Sequence, residues 1–390
     1  LSQILRQRIA NGGPLDFSAF MAAALYHPGL GYYARGCGQV GRRGDFFTSV
    51  SVGPLFGRLL AERLLAWWRA AGEPAAWRVV ECGAHDGTLA HDVLTALREL
   101  APAAFAAAEF AIPEPLPLLR GAQRRHLAGF GERVRVLDGA DSLAARPLPG
   151  VVFGNEVIDA LPCQVAEWRD GGWHLCRVGC AADGGFCWQT AEALEDRFPP
   201  GEHGLPGGPL PQGYRTEFRP KSQLRDFLRP LFAALSRGLV LWFDYGFARP
   251  EYYLPERGAG TLRACAAHRT LPDPLAAPGT ADLTAHVDFT ALAEAALGLG
   301  ARPLAFRDQG GWLTALARPW LLAMEGRPNP KALRQFHTLT HPGHLGARFH
   351  VLELACGEAA ASPTPAADLH RLALTSSKLA SLATGVSVSQ

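Results

Sequence analysis

The residues with the most chemical promise form short polar clusters that follow apolar runs. The first is Glu81-Cys82-Gly83-Ala84-His85-Asp86-Gly87-Thr88, directly after Trp77-Arg78-Val79-Val80. A strand that ends on an acid, turns through glycines and enters a helix makes a cradle for a nucleotide-like ligand. Glycine reaches positive φ and lets a ligand approach the backbone closely. The N–H groups at a helix start attract a carboxylate or phosphate. Taken alone, Gly83 and Gly87 read equally well as a tight strand-to-helix turn. Glu114, in Pro113-Glu114-Pro115, follows the next apolar run. A carboxylate there accepts hydrogen bonds from both hydroxyls of a ribose; the alternative is a solvated loop glutamate. Gly154-Asn155-Glu156-Val157-Ile158-Asp159-Ala160-Leu161-Pro162 closes a later apolar run. Ligands of open α/β sheets bind outside the carboxyl ends of the strands, and three polar side chains there are costly to bury without partners. A capping Asn155 beside a solvated Glu156 is the plainer alternative. Two further segments, Gly44-Asp45-Phe46-Phe47-Thr48-Ser49 and Asp282-Leu283-Thr284-Ala285-His286-Val287-Asp288-Phe289, read by themselves as a turn and as a helix start capped by Asp288.

The elements that must position these clusters follow from periodicity. Leu1–Ala10 is expected as an amphipathic helix. Leu59, Leu60, Leu64 and Trp67 stand at helical spacing between Leu55 and Ala71. From Trp77 onward the texture alternates: strand 77–82, helix 88–100, strand 109–112, helix 116–127, then strands 134–137 and 151–153. Such alternation predicts a parallel, doubly wound sheet. Between Gln164 and Thr190 aromatic and polar residues alternate around Asp170-Gly171-Gly172 and Asp183-Gly184-Gly185, the pattern of antiparallel hairpins. A helix over 222–235, a strand over 239–244 and a helix over 289–299 follow. The expected organisation is an N-terminal helical and loop segment (1–54), the cofactor half of the core (55–162), an inserted hairpin-rich subdomain (163–237), the rest of the core (238–358) and a tail (359–390).

The chain has 390 residues, 48% hydrophobic and 19% charged, enough for a sizeable core in one large or two smaller domains. Its 38 basic and 36 acidic residues leave a net charge of +2, which gives no general attraction to nucleic acid or anionic membranes. Gly41-Arg42-Arg43-Gly44 is the best candidate for a local basic patch. No run approaches the length of a membrane helix, and the first residues lack the pattern of a secretory signal. The 8 cysteines include no C-x-x-C pair. Cys176, Cys180 and Cys187 cluster without matching histidines, so reduced thiols are expected rather than a metal site.

In order along most of the chain, a set of short motifs resembles the MidA-type methyltransferases. That family includes a mitochondrial complex I assembly factor that methylates an arginine. The matching residues are Leu25-Tyr26-His27-Pro28 with Gly31-Tyr32-Tyr33; Gly41-Arg42-Arg43-Gly44-Asp45-Phe46 with Thr48-Ser49; Pro54-Leu55-Phe56-Gly57; Gly87-Thr88-Leu89; Asn155-Glu156 with Asp159-Ala160-Leu161-Pro162; Asp244-Tyr245-Gly246; Gly260-Thr261-Leu262-Arg263; and the segment Asp282 to Phe289. The resemblance implies an α/β, class I methyltransferase (Rossmann-like) sheet, S-adenosyl-L-methionine as cofactor, Glu114 as the ribose acid, and Gly83 and Gly87 in the cofactor loop. Glu81, His85, Thr88 and Asn155 complete the cofactor set on this reading. Two departures stand out. Ala84-His85 replaces the Pro-Gly usual in the family's loop, and Val50-Ser51-Val52-Gly53 replaces Pro-Glu-Ile-Ser after Ser49. If the loop needs φ > 0 at position 85, a non-glycine residue there costs about 1–2 kcal/mol.

Methyl transfer is an in-line displacement that depends on holding nucleophile, methyl and sulfur in line. With arginine as acceptor, the guanidinium stays charged and carboxylates align it. Glu156 and Asp159 are the catalytic candidates; Asp45, Ser49, Glu217 and His286 are the substrate-side candidates. A protein substrate, a cytoplasmic or matrix location and self-association as a homodimer are compatible with this reading. The alternative function is a catalytically decayed assembly or binding factor on the same fold. A dinucleotide oxidoreductase is disfavoured, because the loop lacks G-x-G-x-x-G.

Overall fold

The computed structural model describes residues 1–35, 48–266, 269–357 and 369–374. Contacts divide the chain into two compact units, a sheet unit of Phe47–Val157, Arg225–Gly246 and Ala296–Gln390, and a hairpin unit of Leu1–Phe46, Ile158–Leu224 and Phe247–Ala295.

The sheet unit is built on seven strands: β1 (Trp77–Cys82), β2 (Ala108–Pro113), β3 (Val134–Leu137), β4 (Leu148–Asn155), β5 (Leu235–Phe247), β6 (Arg302–Asp308) and β7 (Phe349–Gly357). Their spatial order is β3-β2-β1-β4-β5-β7-β6. β3, β2, β1, β4 and β5 pair in parallel. β7 is antiparallel to both of its neighbours, so the sheet is mixed rather than wholly parallel as the alternating texture predicts. The reason is that β7 is buried through eight of its nine residues, and a strand covered on both faces carries the same continuous apolar signature in either direction.

The chain leaves β1 towards β2 and β3 on one side and later fills β4 and β5 on the other. The strand order therefore reverses between β1 and β4, where open α/β sheets bind their ligands. Glycine makes that junction close: a Cβ at Gly150 on β4 would lie 2.1 Å from the Arg78 carbonyl oxygen on β1. Arg78 itself is buried, and it is satisfied by Glu109 and by the carbonyls of Leu143 and Ala234.

The helix Leu55–Ala70 buries the predicted stripe of Leu59, Leu60, Leu64 and Trp67 against Val79, Phe110, Val151 and Phe153. Each such side chain contributes about 1.5–3 kcal/mol of burial. Arg63 of this helix is also buried, its Nη2 2.7 Å from Glu353 Oε2 on β7, while Trp312 Nε1 donates to Glu353 Oε1 at 2.6 Å. A buried pair closed in this way is costly to break by removing one partner.

In the hairpin unit, strands Gln164–Arg169, Gly172–Cys180 and Phe186–Ala193 form the expected antiparallel hairpins, joined by Leu15–Asp16 and Arg215–Phe218. A second, three-stranded sheet comprises Arg263–Ala266, Arg269–Leu271 and Asp282–Thr284. The helix Phe17–Tyr26 packs Phe17, Phe20, Met21, Ala24 and Leu25 into one core with Val165, Val178, Ala264 and Leu283. That shared core is why residues 247–295, read from texture as sheet domain, group with the hairpins and the first helices. Asp45, the Gly41-Arg42-Arg43-Gly44 run and most of the tail lie outside the described residues.

Candidate active site

Four elements of the sheet unit converge on the reversal of strand order. The penultimate residue of β1 is Glu81, which is 2% exposed. Burial, with Asp86 and Asp92 nearby, pushes its carboxyl well above the usual carboxylate range. Gly83 follows at φ +66, His85 at φ +47 and Gly87 at φ +87. The positive φ that the sequence raised as a condition at position 85 is thus met by a histidine. The turn is closed by Gly87 N–H donating to the Ala84 carbonyl at 2.7 Å. The Thr88 N–H donates to Asp86 Oδ1 at 3.0 Å, at the start of the helix Thr88–Leu100. The His85 ring lies 3.9 Å from Asp86, too far for a hydrogen bond but close enough to favour the charged carboxylate. Burial works against the Asp86 carboxylate, yet the imidazole and the Thr88 amide together hold its pKa low.

Beyond β2, Glu114 is 5% exposed. Its Oε1 accepts from the Leu116 amide at 2.9 Å and its Oε2 from Gln123 Nε2 at 3.2 Å. Burial raises its pKa, opposed by those two donors and by His85 and Arg120.

Beyond β4, Glu156 adopts φ +54. Its N–H donates to the Phe243 carbonyl on β5 at 2.8 Å. Asn155 Nδ2 donates to Glu156 Oε1 and the Tyr245 hydroxyl to Glu156 Oε2, each at 2.9 Å. Asp244, fully buried beside them, accepts from the amides of Val157 and Tyr245. The Tyr245 ring is held against Phe349, with centroids 4.1 Å apart.

The sheet unit therefore brings together Glu81, Gly83, His85, Gly87, Thr88, Glu114, Asn155 and Glu156. Asp159, Glu217 and His286 belong to the hairpin unit. There, Arg219 donates to the carbonyls of Asp159, Leu161, Ala285 and His286. Burial, opposed by Arg219, pushes the Asp159 carboxyl up to about 6. Glu217 Oε2 accepts from the amide and hydroxyl of Thr261, and burial raises its pKa. The Thr261 hydroxyl also receives the His286 N–H at 3.0 Å. Glu217 and His286 line a small cavity with His203, Tyr252 and Tyr253. Ser49 is fully buried in the sheet unit and donates to Gln309 Oε1 at 3.0 Å, a packing tie.

Three residues of this arrangement carried no role in the sequence reading: Gln123, Asp244 and Tyr245. The Asp244-Tyr245-Gly246 run was visible as a shared motif, but its contact with Glu156 spans 89 positions.

Whether a nucleoside sulfonium suits this cradle can be tested on its buried polar atoms. Glu81 Oε2, His85 Nδ1 and Asn155 Oδ1 are buried without a protein partner. Such atoms cost about 1–3 kcal/mol each if left unmet. The Glu81 carboxyl oxygen and the Asn155 amide oxygen are acceptors, and the ammonium, ribose hydroxyls and adenine amine of S-adenosyl-L-methionine are donors, so the residues fit the group. Residues 59–306 match a family described as "Putative S-adenosyl-L-methionine-dependent methyltransferase". The chain belongs to this family. As a methyltransferase it uses S-adenosyl-L-methionine as its cofactor. A crystal structure from Burkholderia thailandensis, bound to S-adenosyl-homocysteine, is 32% identical with a TM-score of 0.77 and coverage of 92% of each chain. The methyltransferase is also 29% identical over 396 residues to "Protein arginine methyltransferase NDUFAF7 homolog, mitochondrial" of Drosophila melanogaster, covering 93% of this chain and 86% of that one. The Mus musculus "Protein arginine methyltransferase NDUFAF7, mitochondrial" is 28% identical, covering 90% and 83%.

Proposed function

We propose that this methyltransferase modifies a protein side chain, with arginine as the acceptor, and that Glu156 aligns the accepting group. The observation that carries the reading is Glu156 itself. A non-glycine residue at φ +54 holds about 1–3 kcal/mol of backbone strain, of the kind that persists where surrounding structure over-determines it and clusters at functional sites. Here Asn155, Tyr245 and the Phe243 carbonyl supply that determination. The arginine acceptor is supported by the names of the relatives above.

On this reading Glu81, Gly83, His85, Gly87, Thr88, Glu114 and Asn155 hold the cofactor. Glu114 takes the ribose hydroxyls, and Glu81 and Asn155 offer buried acceptors to the cofactor's N–H and O–H groups. When bound, the cofactor supplies an electrophilic methyl group. The chain's own work is to hold the acceptor in line with that methyl and to keep the guanidinium charge on a carboxylate, away from the attacking nitrogen. Asp159, in the hairpin unit, is the second carboxylate candidate; with its pKa near 6 it is mostly ionised at neutral pH. Glu217 and His286, and Asp45 outside the described residues, serve the substrate side. Ser49 serves packing. The cysteines of the described residues are free thiols, in keeping with the cytoplasm or a mitochondrial matrix. Among the described residues no helix is long and apolar enough to cross a membrane.

The test is Glu156→Gln. A lysate supplied with methyl-labelled S-adenosyl-L-methionine and the wild-type enzyme should yield protein labelled on arginine by mass spectrometry. The variant should lose about a hundredfold or more of that turnover while binding S-adenosyl-homocysteine normally in calorimetry. Unchanged turnover removes Glu156 from the mechanism, and label on a different residue type overturns the acceptor.

A further inference from the structure

The helix Pro117–His126 sends one polar side chain inward, Gln123, which is 0% exposed. Its Nε2 donates to the His85 carbonyl at 2.9 Å and to Glu114 Oε2 at 3.2 Å. Both N–H groups are therefore spent, one on the main chain of the glycine turn and one on the acid beyond β2. The orientation of the amide is fixed by chemistry, since the flipped form would set its oxygen against a carbonyl and a carboxylate. The approach of the helix is close as well. A Cβ at Gly87 would stand 3.7 Å from Gln123 Cα and 3.3 Å from Leu127 Cδ1. A buried primary amide is a costly filler compared with an apolar side chain of the same size. Its cost is offset only by the two acceptors it joins.

We propose that Gln123 is a positioning residue for cofactor binding: it fixes the Glu114 carboxylate at a set distance from the Gly83–Gly87 turn. The inference rests on the reading that Glu114 and the turn hold the cofactor. Gln123 touches neither reacting atom and acts through Glu114. Without the amide, the buried carboxyl of Glu114 keeps only the Leu116 amide as a direct donor among the contacts above. It is then free to rotate and takes up a proton more readily, since a hydrogen bond to the charged form is lost. Arg120, which donates to the Glu114 carbonyl, and the His85 ring are the neighbouring charged or titratable groups, and both stay in place.

The experiment is titration calorimetry with S-adenosyl-homocysteine on the full chain, comparing wild type with Gln123→Leu, Glu114→Gln and the double variant. Gln123→Leu should weaken binding about tenfold or more, the effect of one lost charge-assisted hydrogen bond. That loss should grow as the pH is lowered from about 8 to about 6, because Glu114 neutralises earlier. In the Glu114→Gln background the same substitution should cost about threefold or less, since its target is already changed. Gln123→Ala removes the same two donors without adding a branch and carries the same expectations if the leucine does not fold, as judged by thermal melting. A Gln123 variant that melts normally and binds as the wild type does overturns the proposal. So does a loss that is the same in both backgrounds and at both pH values, which a merely structural role would produce. Wild-type chain that fails to bind S-adenosyl-homocysteine would instead overturn the cofactor reading on which the proposal rests.

Discussion

Gly83→Ala tests the turn after β1 more severely than any other single methyl. Gly83 stands at φ +66, and an added Cβ would lie 2.5 Å from Val157 Cγ2. The left-handed conformation costs a non-glycine residue about 1–2 kcal/mol. The overlap adds about 1–3 kcal/mol, the usual range for forcing a methyl into packed space. Val157 has little room to yield. It is β-branched, with only χ1 to turn, and the same Cγ2 lies 3.2 Å from where a Cβ on Gly154 would be. The total is about 2–5 kcal/mol, which in a domain of this size lowers the melting temperature by about 5 °C or more. The Val157 methyl is thus wedged against two glycines at the ends of β1 and β4. Val157→Ala alone should cost about 1 kcal/mol, but combined with Gly83→Ala it should recover the overlap and leave the φ strain. The measurement is urea denaturation of the four proteins together with S-adenosyl-homocysteine affinity. If Gly83→Ala melts and binds like wild type, the turn is not held as described. If Val157→Ala gives no recovery in the double variant, the wedge is not the cause.

Two further expectations concern carboxylates. Tyr245→Phe keeps the ring on Phe349 but removes the hydroxyl that donates to Glu156. It should lower kcat about 10–100-fold, the worth of a hydrogen bond to a charged group, with KM for the cofactor unchanged; an unaltered kcat would leave Tyr245 a packing residue. Asp159 has its carboxyl raised from 3.8 to about 6 by burial. Between those values the folded chain binds more protons than the unfolded one, so stability is fullest below the window and falls as pH rises through it, by up to about 3 kcal/mol. Asp159→Asn should remove that slope, so denaturation midpoints of variant and wild type compared at about pH 4 and about pH 7 should diverge; parallel curves would contradict it.

The sheet was legible because its determinants are local. Strands β1 to β4 are short apolar runs closed by turn residues, and each was placed to within a few residues. The acids at the strand ends were legible for the same reason, since a polar residue directly after a buried strand has few other places to go. What stayed hidden depends on distant pairing. Glu156 meets Tyr245 across 89 positions, and Gln123 meets the His85 carbonyl across 38. Gln123 sits among Arg120, Arg124, Arg125 and His126 on a polar-looking helix, so nothing in its surroundings marks it as fully buried. The grouping of residues 247–295 escaped notice because it is fixed by a core shared with the first helices, Leu283 and Ala264 against Phe20 and Leu25.

His85 changes its meaning once the geometry is known. As a sequence feature it interrupts a glycine-rich loop and argues against a working cradle. In the fold it takes the left-handed conformation that the turn needs, at φ +47. Histidine is among the residue types that tolerate this region better than most. Its carbonyl is held by Gln123 and its ring lies beside Asp86, so the strain of about 1–2 kcal/mol is set against contacts that glycine would share only in part. The second strained residue, Glu156, follows β4, the strand that pairs with β1. Two non-glycine residues held at positive φ thus flank the point where the strand order reverses, and each is fixed by a residue from a later element, Gln123 for one and Tyr245 for the other. The contacts from Gln123, Asn155 and Tyr245, rather than the strain itself, hold His85 and Glu156 at these angles after β1 and β4. That is the condition under which binding energy goes to aligning the reactants rather than to ordering the site.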